Sequence, residues 1–323
     1  MTVSICIPTY NSARYLAETL ECALAQTFTD FELIVSDDAS RDGTCEIVGR
    51  YSDPRICLHR LDRSRGMAFN FNHALHLAQG KYVKFLCHDD LLEPTALAKQ
   101  VAALEGSQDL VMVTSALRCV DAAGRTISVA SWFSEDTVLN RAEIIAANLA
   151  YGNTIGIPSA VLIRHEALRR AGSFSDDFPQ MMDMEMWLRL AALGPVAYLR
   201  EPLCGFRIHP GAMTSEQRKL GLIRRDLVRI TETMLGAAPP SSFARRVAWG
   251  RVAGSFVKQA LAGLRHGSVR WPMAALGQAF RMDPAFAGLL LFQTLFRTGI
   301  RGFVVRPGPT LQTGWGRTLR HRS

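Results

Sequence analysis

Through residues 1–90 short apolar runs alternate with amphipathic stretches, and that order fits few folds. Val3–Ile7, Phe31–Val35 and Tyr82–Leu86 are each rich in branched and aromatic side chains, as buried strands are, and Ile56–His59 continues the series. Between them, Ser12–Ala25 carries Ala13, Leu16, Ala17, Leu20, Ala23 and Leu24 at helical spacing. A second helix is expected near Thr44–Tyr51, with Thr44 as its N-cap, and a third over Ala68–Ala78, stopped by Gly80. Strands and helices in alternation with short loops predict an α/β fold, a mainly parallel sheet covered on both faces. Beyond Asp109 the pattern becomes mixed. Strands are expected at Leu110–Ser115, Ile127–Ala130, Ile157–Ile163 and Val196–Leu199, with a hairpin turn at Asp121–Gly124. From Gln217 the chain reads as helical, broken at Pro239-Pro240, Pro272 and Pro284, with a loosely ordered end from Gly302.

Two aspartate pairs, Asp37–Asp38 and Asp89–Asp90, directly follow two of the predicted strands. Ligands of open α/β sheets bind at the carboxyl ends of strands. Adjacent carboxylates repel there unless a cation or a donor-rich ligand joins them. The pairs therefore suggest a divalent metal beside a polar ligand such as a nucleotide, although Asp also favours turns and helix N-caps.

Charge divides the chain. Residues 217–323 hold 18 Lys and Arg against 3 Asp and Glu, whereas residues 1–216 hold 19 against 26. Two units are expected, 1–216 and 217–323, with different partners. A basic helical extension suits an anionic membrane surface. Nucleic acid is the rival partner, disfavoured because no nucleic-acid motif appears and the other half is acidic. Arg281 and Arg297 flank Leu289–Phe292 and Leu295-Phe296, as in a helix lying in a membrane interface, while Ala285–Phe296 is too short to span a bilayer. No secretory leader is read at the N-terminus, and seven scattered cysteines without a CxxC pair fit a reducing compartment. The expected location is cytoplasmic, peripheral on the inner membrane face.

Several segments together resemble family 2 glycosyltransferases of the GT-A fold. They are Val3–Asn11, Gln26-Thr27-Phe28, Asp37–Thr44, Asn72, Ala78–Tyr82, Phe85–Asp90, Asp183–Leu190 and Glu201–His209, in that order over residues 3–215. The resemblance implies an inverting transfer of a sugar from a nucleoside diphosphate, UDP or dTDP favoured, to an acceptor hydroxyl. A glycan or lipid-linked acceptor is implied, with Mg²⁺ or Mn²⁺ assisting.

The resemblance also distributes roles. Pro8, Thr9, Tyr10 and Asn11 border the base and ribose, with Tyr10 as a stacking face. Asp38 accepts from the nucleobase edge, while Asp37 serves the turn. Asp89 faces the ribose or metal, and Asp90 is the direct metal ligand. Arg207 and His209 reach the diphosphate or metal from a closing loop. Asp183 is the general base and Glu185 the runner-up. The chain departs from the family pattern at Cys87 and Met182, where an acidic residue is frequent. His88 is less suited to a hard cation than carboxylate oxygen. The methionines at 181, 182, 184 and 186 are either core filler or an apolar rim for a lipid-linked acceptor. Two alternatives remain open: a nucleotidyltransferase, which would normally show an early glycine- and basic-rich phosphate loop, and a non-catalytic nucleotide- or glycan-binding relic.

Overall fold

A ten-stranded sheet lies at the centre of the computed structural model, which describes residues 1–212 and 223–237 together with Trp249 and Val252. Strands β1 (Val3–Thr9), β2 (Phe31–Asp37), β3 (Ile56–Arg60) and β4 (Tyr82–Phe85) run parallel in the order β3-β2-β1-β4. Their connections are helices α1 (Leu16–Leu24), α2 (Thr44–Val48) and α3 (Met67–Leu77). Every residue of β1, β2 and β4 is buried, which is why these strands read as continuous apolar runs.

Side chains alternate across the sheet. Ile5, Ile7, Leu33 and Val35 pack with Leu16 and Leu20 of α1 and with Leu97 and Leu104 of α4 (Ala96–Glu105). Cys6, Ile34 and Phe85 face the other way. They pack with Phe71 of α3, Leu168 of α6 (His165–Ala171) and Trp187 of α7 (Met182–Ala191). The close approach of one loop to β1 explains the glycine at position 80. A Cβ there would lie 2.6 Å from the Ser4 nitrogen and 2.8 Å from the Val3 carbonyl carbon.

The mixed half continues the sheet. β9 (Leu162–Arg164) lies antiparallel between β4 and β6 (Met112–Val120), and β10 (Val196–Arg207) pairs parallel with β6. Short β5 (Leu91–Leu92), β7 (Thr126–Ala130) and β8 (Thr137–Leu139) complete it, and α5 spans Arg141–Tyr151. The strand expected over Ile157–Ile163 forms only at its end. Pro158 opens a 3₁₀ turn over Pro158–Ala160, where a proline lacking an N–H cannot serve a central strand. The strand expected at Val196–Leu199 instead continues to Arg207, with register shifts on either side of Pro202.

Two compact units divide the chain. One holds the described residues 1–144 and 153–212; the other holds 145–152 with 223–237. In the second unit, α8 (Ile223–Ala237) buries Ile230, Met234 and Leu235. The basic apolar run 281–297, read as a membrane-surface element, and the tail from Gly302, read as loosely ordered, lie outside the described residues.

Candidate active site at the carboxyl edge of the sheet

Since β2, β1 and β4 are parallel neighbours, their carboxyl ends share one edge, and both aspartate pairs lie there. On the β1–β2 side, Pro8 and Thr9 are buried within the sheet, whereas Tyr10 and Asn11 are exposed, Tyr10 by 50%. Two loops are stitched together behind them. Asn11 donates its N–H to Ser40 Oγ and accepts from Arg41 N, Ser12 N donates to Thr44 Oγ1, and Ala13 N donates to Asp42. Asn11 (φ 49°) and Ala39 (φ 58°) both adopt the left-handed conformation to make this join.

Asp37 does what a turn residue does. Its carboxylate accepts from Thr9 Oγ1 (3.0 Å), Ser40 N (2.9 Å) and Ser40 Oγ, and it is fully buried. Asp38, also buried, accepts from Ser64 Oγ (2.7 Å), Arg65 N (2.7 Å) and Gly66 N (3.0 Å). Those three donors organise the segment that enters α3. A carboxylate offers about four lone-pair positions, so Asp38 retains capacity for one further donor.

On the β4 side the aspartates divide labour differently from the sequence expectation. Asp90, expected to ligate metal directly, is turned inward. One carboxylate oxygen accepts from Ser159 Oγ (2.6 Å) and the other from the Arg207 N–H (3.1 Å). Burial, followed by the neighbouring Asp89 carboxylate, raises its pKa. Asp89 is only partly buried, and its Oδ2 meets His209 Nε2 at 3.1 Å. Helix α1 braces this turn from behind, Thr19 Oγ1 donating toward the carbonyls of His88 (3.0 Å) and Asp90 (2.9 Å). His88 is partly buried, and desolvation lowers its pKa.

Arg207 likewise differs from the expected phosphate-binding residue on a closing loop. It is the last residue of β10 and fully buried. Its guanidinium donates to the Asp89 carbonyl (2.8 Å), the Ala122 carbonyl (3.2 Å) and Glu18 (2.7 Å). A side chain so engaged holds the Asp89–Asp90 turn in place.

Asp183 is the second residue of α7, partly buried, and burial raises its carboxyl from 3.8 to about 6. Its helix is tied to the β4 side through one loop. Trp187 Nε1, a turn further on, donates to the Gly156 carbonyl (3.1 Å), and Ser159 of that loop donates to Asp90. Glu185, the alternative base, is engaged by Arg189 through both carboxylate oxygens (2.8 and 2.7 Å). Met182, Met184 and Met186 are buried in the core, so they do not form an apolar rim.

Ser159, Tyr15 and Glu18 belong to the site's framework, and nothing in their local sequence marks them. No cluster of three His, Cys, Asp or Glu side chains suited to a metal occurs among the described residues. The Asp89–His209 pair therefore offers two protein donors. One is a carboxylate oxygen, which suits a hard cation that completes its shell with diphosphate oxygens and water; the other is an imidazole nitrogen, the weaker donor for such a cation.

The family model described as "Glycosyl transferase family 2" matches residues 4–172, about half of the chain. An uncharacterized glycosyltransferase of Rickettsia felis is 28% identical over 213 residues, covering 64% of this chain and 34% of that protein. The putative teichuronic acid biosynthesis glycosyltransferase TuaG of Bacillus subtilis is 28% identical over 236 residues, covering 71% and 89%. The chain thus spans about a third of one relative and most of the other. Among solved structures, S. aureus TarS 1–349 in complex with UDP-GlcNAc aligns with a TM-score of 0.65 at 20% identity, covering 91% of this chain and 85% of that one. The mannosyltransferase PcManGT of Pyrobaculum calidifontis, in complex with GDP-Man and Mn²⁺, aligns with a TM-score of 0.54 at 19% identity, covering 91% and 86%. Both show the same fold, GT-A.

Proposed function

The chain belongs to the family 2 glycosyltransferases, and on that premise we propose that it moves a sugar from a nucleoside diphosphate to an acceptor hydroxyl. One observation carries the reading: Asp89 and His209, 120 residues apart in sequence, meet at 3.1 Å at the carboxyl edge of the sheet. The nucleoside lies against Tyr10 and Asn11, and the free capacity of Asp38 takes one base donor. An imide N–H satisfies that demand, which favours UDP or dTDP over purine nucleotides. Structures of this fold that hold UDP-GlcNAc or GDP-Man support a nucleotide sugar as the donor class.

Asp89 and His209 would hold a divalent cation, Mg²⁺ or Mn²⁺. When bound, such a cation offsets the charge developing on the leaving diphosphate. Asp90 and Arg207 keep the pair in position. Asp183 takes the proton from the acceptor hydroxyl. The acceptor oxygen bonds to the anomeric carbon as the bond to the diphosphate oxygen breaks, and this single displacement inverts the anomeric centre. A carboxyl raised to about 6 is a stronger base than an ordinary aspartate and is still ionised at neutral pH.

Kinship with TuaG favours a role in cell-envelope polysaccharide or lipid-linked glycan synthesis. The catalytic region is residues 1–216, and the basic residues 217–323 hold the enzyme peripherally on an anionic inner membrane face. The decisive measurement is hydrolysis of UDP-sugars with Mn²⁺ by wild type, Asp89→Asn and Asp183→Asn. Turnover that is unaffected by both substitutions sinks the reading.

A further inference from the structure

Tyr15 immediately precedes α1 and is 5% exposed. The Arg207 guanidinium lies 4.5 Å from the centre of its ring, and the His209 imidazole lies 4.7 Å from it, tilted by 58°. Its hydroxyl is buried and has no hydrogen-bond partner among the described residues. That is unusual, because a buried tyrosine normally finds a partner for its polar tip. What the surroundings use is therefore the ring. Both of these neighbours belong to the cation side of the site; a third, the Arg14 guanidinium, lies 5.0 Å from the ring centre. Arg207 holds the Asp89 carbonyl and, through its own N–H, Asp90, while His209 faces Asp89. Glu18, one turn along the same helix, grips Arg207 from its other end.

His209 has left β10 and lies in a turn, with the Ala212 N–H donating to its carbonyl. A turn by itself fixes an imidazole poorly. A flat, buried ring against one side of it restricts its rotation. We infer that Tyr15 is a positioning residue for the donor site: its ring, held by Arg207, sets the orientation in which His209 faces Asp89. This rests on the proposed reading of Asp89 and His209 as the cation and diphosphate pocket.

The test is calorimetric titration of UDP into the full chain, with and without MnCl₂. Tyr15→Leu removes the ring and is expected to weaken the Mn²⁺-dependent affinity by about 10–100-fold, the usual cost of losing a group that orients a metal ligand. Its metal-free affinity and its KM for the acceptor stay at the wild-type values. Tyr15→Phe keeps the ring and rescues binding to within about twofold of wild type, the margin expected when only an unpartnered hydroxyl is removed. Leu20→Ala opens a cavity in the buried face of the same helix. It lowers the thermal midpoint and leaves UDP affinity unchanged, which separates positioning from general loss of stability. Wild-type affinity in Tyr15→Leu, or an equal loss in Leu20→Ala, overturns the inference. His209→Ala distinguishes the two layers. If it too binds Mn²⁺ and UDP like wild type, the pocket assignment itself fails. If it abolishes the Mn²⁺ dependence while Tyr15→Leu does not, only the role of Tyr15 falls.

Discussion

Burial around Asp183 stabilises its neutral form, so the carboxyl holds its proton up to about pH 6. A general base works only when ionised. The rate should therefore climb about tenfold per pH unit below 6 and level off above it. Asp183→Asn should abolish that dependence and lower kcat by about 10²–10⁴-fold, read from a pH–rate profile. A stability prediction comes from Ala39, whose φ of 58° strains an L-residue. Left-handed geometry costs about 1–2 kcal/mol, and glycine returns about half of that as greater freedom in the unfolded chain. Ala39→Gly should raise stability by about 0.5–1 kcal/mol and the thermal midpoint by about 2 °C, measured by calorimetry. Side-chain roles were the least legible feature of the sequence. Asp37 could be assigned to the turn because adjacent residues seldom point the same way. The partners that engage Asp90 and Arg207 could not be read from the sequence, because they lie 69 to 189 residues away in the chain. No local pattern reports such partners.

Elements were far more legible. β1, β2 and β4 showed as apolar runs because helices cover both faces, and α3 lies within a residue of its expected limits. Short strands such as β5 and β8 left no periodic trace, being two and three residues long. The glycine before β4, read as a helix stop, has a stronger reason in the packing. Its neighbours are backbone atoms of β1 that cannot swing aside. Gly80→Ala should cost about 1–3 kcal/mol, the usual range for overpacking, with a matching drop in the urea midpoint. Trp187 joins α7 to the Gly156 loop while filling the core. Trp187→Phe keeps most of the apolar volume and loses that hydrogen bond. It should lower kcat more than it lowers donor affinity, seen as a kcat change at constant KM.

For the whole molecule, the charge contrast between residues 1–216 and 217–323 has a measurable outcome. Flotation with anionic vesicles should carry the full chain upward at low salt and release it at high salt, since each basic residue near such a surface contributes about 1 kcal/mol and is screened by ions. Neutral vesicles should leave it behind. Strand order has a consequence of another kind. β4 gains its outer neighbour only from β9, about 80 residues later in the chain, and β10 joins β6 later still. At a synthesis rate of about 5–20 residues per second, the open edge of β4 waits on the order of 4–16 s on the ribosome for the strand that closes it. During that interval the half-made sheet offers bare backbone to other nascent chains, so slower translation between residues 86 and 161 should lower the soluble yield.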